Sequence, residues 1–308
     1  MYYYKNGKFI KAFKESTTHS IYRLFSLLYT ADKRLIAKLL SEFIVECQAS
    51  KGQEPWDRRA NLYYQALLLT NNELPGFRVA VAKVTELIRM KDGHDRYFLS
   101  LGTLLYKLSK EPETSFTCAG RNSHLIGDSH TLSTSLSWNF DKAGVTFLPG
   151  ITIRDLSSRQ KGPCHYAIKN AIKVYSADTV VFSVGEIDQR QIYYRINYYL
   201  NNVKKTRAML EAQISSALEF ISKQQSPFQN ISIMALPKFY DNLVEIQNKE
   251  KSGDIEEWIN WYSLVFSEIA EKNGVPVVGK EKMENAVIEN KIDHAHFKPE
   301  FYENFFDC

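Results

Sequence analysis

Downstream of the polar joint Glu111-Pro112-Glu113-Thr114 the chain alternates short apolar runs with stretches of helical spacing, a pattern that few architectures accommodate. Runs at Ser123–Ile126, Val145–Leu148, Thr179–Val184, Ile231–Leu236 and Val275–Val278 predict five strands. Tyr166–Val174, Gln189–Lys223, with a break near Asn201-Asn202, and Ile255–Lys272 predict the helices. Strands separated by helices pair in parallel, because right-handed crossovers lay the helices on the faces of the sheet. Residues 116–308 are therefore expected to form an α/β domain, with ligands gathering at the carboxyl ends of its strands.

Residues 1–115 have another texture. Ile21–Thr30, Arg34–Ala49, Asp57–Thr70, Phe77–Met90 and Arg96–Leu108 carry apolar residues at three- and four-residue intervals, which predicts amphipathic helices. Breaks such as Lys51-Gly52-Gln53-Glu54-Pro55 and Asn71-Asn72-Glu73-Leu74-Pro75-Gly76 have turn-forming composition. Helical hairpins of this length fit a bundle or a degenerate helical repeat, although no fixed internal period matches residue for residue. This all-helical domain is suited to scaffolding or to docking a protein partner.

The formal charge of +4 is dispersed along the chain. The densest basic cluster, Lys204-Lys205 with Arg207, fits a solvated helix face, so no nucleic-acid partner is expected. No apolar run is long enough to span a bilayer, and Met1-Tyr2-Tyr3-Tyr4-Lys5 lacks the apolar core of a secretory signal, which predicts a cytoplasmic protein. Cys47, Cys118, Cys164 and Cys308 are scattered without a CxxC pair and read as reduced thiols. Neither a metal site nor a cofactor is expected, since no His/Asp/Glu set has ligand spacing.

Chemistry concentrates in His124-Leu125-Ile126-Gly127-Asp128-Ser129-His130-Thr131. If Ser129 sits on a strand-to-helix turn, free N–H groups at the helix start can stabilise a developing oxyanion. A serine hydroxyl needs an imidazole to take its proton, and the imidazole needs a carboxylate to fix its tautomer. Asp293-His294-Ala295-His296 supplies both types, with either His296 or His294 as the base. The competing reading of Ser129 is a helix-capping serine.

This order of motifs resembles the SGNH, or GDSL-like, hydrolase superfamily over roughly residues 120–308. The resemblance rests on Gly127-Asp128-Ser129, Gly185-Glu186-Ile187-Asp188 and Asp293-His294-Ala295-His296. It implies a flavodoxin-like three-layer parallel sheet and a catalytic triad of Ser129, His296 and Asp293. It also implies an oxyanion hole from the backbone of Ser129, Gly162 and Gly185, with Gly162 preferred over Gly150 as the loop glycine. Ile187 stands where the family carries an asparagine donor, and losing one such donor costs about 3 kcal/mol of transition-state stabilisation. Asp128, His130, Glu186 and Arg190 are the candidate substrate contacts, while Asp188 is expected to be structural. The implied activity is ester hydrolysis or acyl transfer, with acetyl among the acyl groups, on a small-molecule or carbohydrate ester. The alternative is a repurposed, non-catalytic fold that binds a ligand or, through its N-terminal helices, a protein.

The remaining features have simpler expected roles. His124 and His130 are expected as partly exposed loop residues, His165 as structural and Cys164 as a spectator thiol. Tyr193, Tyr194, Tyr198, Tyr199, Trp258, Trp261 and Tyr262 offer stacking surfaces, but their helical spacing favours core packing.

Overall fold

The computed structural model describes residues 7–15, 25–26, 29, 42, 54–71, 73–88, 96–112, 122–136, 143–158, 161–175, 177–224, 229–237, 252–292 and 296–302. Among the described residues, α1 (Phe9–Glu15), α2 (Glu54–Thr70), α3 (Leu74–Ile88) and α4 (Arg96–Leu108) come first. There follow β1 (Ser123–Gly127), α5 (His130–Ser135), β2 (Ala143–Phe147), α6 (Ile153–Ser157), α7 (Pro163–Tyr175) and β3 (Thr179–Ser183). The remainder comprises α8 (Glu186–Tyr194), α9 (Ile196–Asn201), α10 (Val203–Ser222), β4 (Asn230–Met234), α11 (Ser252–Lys272), β5 (Val277–Val278) and α12 (Lys280–Glu284). Two 3-10 turns, Ile288–Asn290 and Pro299–Tyr302, complete it. The predicted helices Ile21–Thr30 and Arg34–Ala49 fall almost entirely outside the described residues.

Among the described residues the strands pair in parallel, in the order β2-β1-β3-β4-β5. This is the doubly wound, flavodoxin-like order, with a switch point beside β1. The five predicted strands all form, their ends shifted by a residue or two. The long helical stretch after β3 breaks twice, and at Asn202 the side chain accepts the Lys205 N–H to start α10.

Side-chain alternation along the strands divides the core. Ile126, Val180, Phe182, Ile231 and Ile233 join a large cluster that includes Ile168 of α7, Leu218 of α10 and Phe266 of α11. Leu125, Val145, Val181 and Met234 join a smaller one with Met283, Phe297, Phe301 and Tyr302. Trp258, Tyr262 and Tyr199 are buried, in keeping with core packing, whereas Tyr194 and Tyr198 are exposed. The side chain of Tyr193 lies outside the described set.

The N-terminal helices are joined to this core. Tyr63 and Leu69 of α2, Phe77 of α3 and Leu104 and Leu108 of α4 belong to the same large cluster as the sheet. Tyr63 meets the Phe147 ring of edge strand β2 at 6.4 Å between centroids. The change of sequence texture near residue 115 is therefore not a break in the core. From the end of α4, Lys107 Nζ donates to the Ile292 carbonyl at 2.7 Å, tying the helical region to the segment that leads to His296.

Candidate active site

β1 ends at Gly127, and the chain turns into α5 within two residues. The Gly127 carbonyl accepts the Leu148 N–H at 2.7 Å, and Asp128 N–H donates to the Ser183 carbonyl at 3.1 Å. The turn is thereby held to both neighbouring strands. The buried Asp128 organises it: Oδ1 accepts the His130 N–H at 3.0 Å, and its carbonyl accepts the Thr131 N–H and hydroxyl. Ser129 occupies the N-cap of α5, yet its hydroxyl makes no capping bond. It lies instead 2.7 Å from His296 Nε2. The capping interpretation of Ser129 is thus displaced by its contact.

His296 reaches this position because the residues after it are anchored. Phe297 is fully buried, stacks on Phe301 at 4.1 Å between centroids, and packs with Leu125 and Val181 beneath β1 and β3. Burying one such ring is worth about 2–3 kcal/mol, enough to fix a short segment. The His296 carbonyl accepts the Ile292 N–H at 2.9 Å, and Lys298 N–H donates to the Asn290 carbonyl at 2.7 Å, closing the loop. Asp293 and His294 lie outside the described residues.

Behind the Ser129/His296 pair is a buried charged set. Glu186, the first residue of α8, meets Arg190 Nε at 2.7 Å and His130 Nε2 at 3.4 Å. His130 Nδ1 is 3.5 Å from the Tyr302 hydroxyl, and its ring lies against that of His296, with centroids 4.8 Å apart. Burial acts to raise the Glu186 carboxyl, but Arg190 and His130 outweigh it and hold it at about 2. For His130, burial opposes charge, but the hydrogen bond and charge of Glu186, helped by Asp128, prevail and raise its pKa above the ordinary value. Burial likewise lifts Asp128 to about 6 despite its neighbour His130.

Several assigned residues stand differently from the expectation. Asp128, His130 and Glu186 are at most 3% exposed, and His130 and Glu186 line a small cavity together with Met234, Leu236 and Met283. Arg190 is partly exposed but engaged with Glu186. The Gly162 N–H, assigned to the oxyanion, donates to His165 Nδ1 at 3.2 Å, because the loop closes on itself at the start of α7. The other His165 nitrogen reaches the Leu156 carbonyl at 3.0 Å, so this histidine is structural, as expected. His124 is buried in β1, bonded to Thr146 Oγ1 at 2.8 Å, and is not a loop residue. Gly185, with φ of 104°, makes the turn into α8 that directs Glu186 inward. Asp188 Oδ2 accepts the Ile153 N–H at 2.7 Å, a structural link to the start of α6, and burial raises its carboxyl to about 7. Burial pushes the Cys164 thiol up to about 12, which leaves it unreactive at neutral pH. Tyr302 and Lys107 carried no sequence signal for the places they occupy. Among the described residues no His/Cys/Asp/Glu group could hold a metal, and no helix is long and apolar enough to cross a membrane.

The raised groups set the pH dependence of stability. Asp128, Asp188 and His130 all hold a proton more tightly folded than unfolded, so the stability they contribute is full at low pH. For the two acids it fades from their ordinary 3.8 up to about 6 and 7, and for His130 it fades above 6.5. Glu186 has the opposite sign, but its window lies below 4.5. His165, lowered chiefly by burial, opposes the trend below 6.5. The melting temperature by calorimetry is expected to be higher at about pH 5 than at about pH 8, and the reverse order would contradict these shifts.

No family model matches the chain, and no curated protein does. Among solved structures, it is similar to a catalytic mutant of an acetylxylan esterase from Geobacillus stearothermophilus, at 16% identity, over 62% of this chain and 91% of that one, with a TM-score of 0.38. The acetylxylan esterase without that mutation gives 17% identity, 60% and 90% coverage and a TM-score of 0.37.

Proposed function

We propose that the protein is a serine ester hydrolase or acyl transferase working through an acyl-enzyme on Ser129. The observation that carries this reading is the 2.7 Å approach of His296 Nε2 to a serine hydroxyl that does not cap its helix. As the hydroxyl attacks an ester carbonyl, His296 takes its proton and then returns it to the departing alkoxide, leaving the acyl group on Ser129. Water, or a second alcohol in the transfer reaction, is deprotonated by the same imidazole and releases the acyl group. Asp293 is the proposed partner that orients His296. With Gly162 N–H engaged and Ile187 unable to donate, the oxyanion falls to the backbone N–H groups of Ser129 and Gly185.

The substrate class in this reading is an esterified carbohydrate or similar small molecule bearing a short acyl group. Its test is turnover of p-nitrophenyl acetate and of acetylated oligosaccharides. An initial burst of alcohol matching the enzyme concentration, or steady turnover abolished by Ser129→Ala, is expected. Turnover unaffected by Ser129→Ala would exclude the acyl-enzyme.

A further inference from the structure

The Glu186, Arg190 and His130 set is more elaborate than a serine–histidine pair requires. A buried ion pair is costly to desolvate, and hydrophobic side chains of similar volume would hold the fold at least as well. Its place is specific: His130 follows the nucleophile directly, and its ring lies 4.8 Å from that of the proposed base, tilted by 42°. We propose that His130 is a cationic positioning residue for His296. Clamped by Glu186 and Tyr302 and laid against the neighbouring ring, it holds the base in line with Ser129 and weakens its hold on a proton. The inference rests on the serine–histidine reading above and deepens it.

The groups facing His130 are Asp128 on its own turn, Glu186 and Arg190 from α8, and Tyr302 and His296 from the C-terminal segment. Glu186 is the anion that keeps the imidazolium charged, and Arg190 keeps Glu186 ionised. A like charge within about 4–6 Å disfavours protonation of a neighbouring histidine. Protonated His130 therefore makes His296 release a proton more readily than a neutral residue at position 130 would, against the attraction that the Glu186 carboxylate exerts on both rings. The same contact limits rotation of the His296 ring. His130 acts through His296 and does not touch substrate, consistent with its burial.

Imidazole nitrogen NMR titration of the labelled full-length chain tests this without any need for turnover. In the unaltered protein the His130 midpoint is expected above the ordinary imidazole value, and in Glu186→Gln it should fall by about one unit or more. In His130→Gln the His296 midpoint should rise by about one unit, and the acid limb of kcat/KM for a short acyl ester should move with it. A His296 midpoint unmoved in His130→Gln, or a His130 already neutral at pH 7 in the unaltered protein, would overturn the proposal. If His130→Gln does not fold, His130→Asn is measured in its place: a His296 midpoint raised by about one unit supports the proposal, and an unmoved one overturns it. Failure of the ester-hydrolase reading would appear separately, as absent turnover with the histidine coupling intact.

Discussion

His296→Gln is expected to lower kcat for a short acyl ester about 10⁴-fold while leaving the fold in place. Glutamine can occupy the volume and hydrogen-bond to Ser129, but its amide accepts no proton at neutral pH. The hydroxyl 2.7 Å away then has no base. Because the anchoring belongs to Phe297 and Phe301, circular dichroism and melting temperature should change little. The same substitution at His294 is the control, since that imidazole is the rival in the sequence. A loss below tenfold for His296→Gln, or a larger loss for His294→Gln, would remove His296 from the role of base.

Gly127→Ala is expected to cost about 3 kcal/mol of stability or more, read as a fall in the urea midpoint. A Cβ on Gly127 would stand 2.1 Å from the Ser183 carbonyl oxygen, with the Ser183 Cβ at 2.7 Å. Neither obstacle is the end of a flexible side chain, so β1 and β3 must separate where they are paired in register. That movement also breaks the Asp128 N–H bond to Ser183 and displaces the turn carrying Ser129. Activity should therefore fall along with stability. A loss below about 1 kcal/mol would mean that the strands do not approach each other as described.

The sheet was legible in the sequence because its signals are local. Apolar runs bounded by turn residues mark strands wherever they pair, and Gly127-Asp128-Ser129 marks a sharp turn by composition. The function of the Ser129 hydroxyl was not local, since capping and nucleophilic roles look alike until its partner, 167 residues away, is placed. Glu186 and Arg190 stand four residues apart, a spacing that brings them together on a helix, but their burial beside the serine depends on the Gly185 turn. Asp188 was expected to be structural, and it bonds to the start of α6. A loop glycine such as Gly162 has no side chain to reveal its N–H partner, here His165. Lys107 and Tyr302 acquire their roles only through long-range packing, as a lysine late in a helix and a tyrosine in a short terminal turn.

The central claim is that Ser129 is a nucleophile activated by His296. Mass spectrometry of the folded protein after reaction with a fluorophosphonate tests it most directly, because the reagent modifies serines deprotonated by a neighbouring base. One phosphonyl adduct per chain on the peptide containing Ser129, absent in His296→Gln and after urea unfolding, is the expected result. No adduct at Ser129 in the folded protein, or an equal yield in His296→Gln, would contradict it.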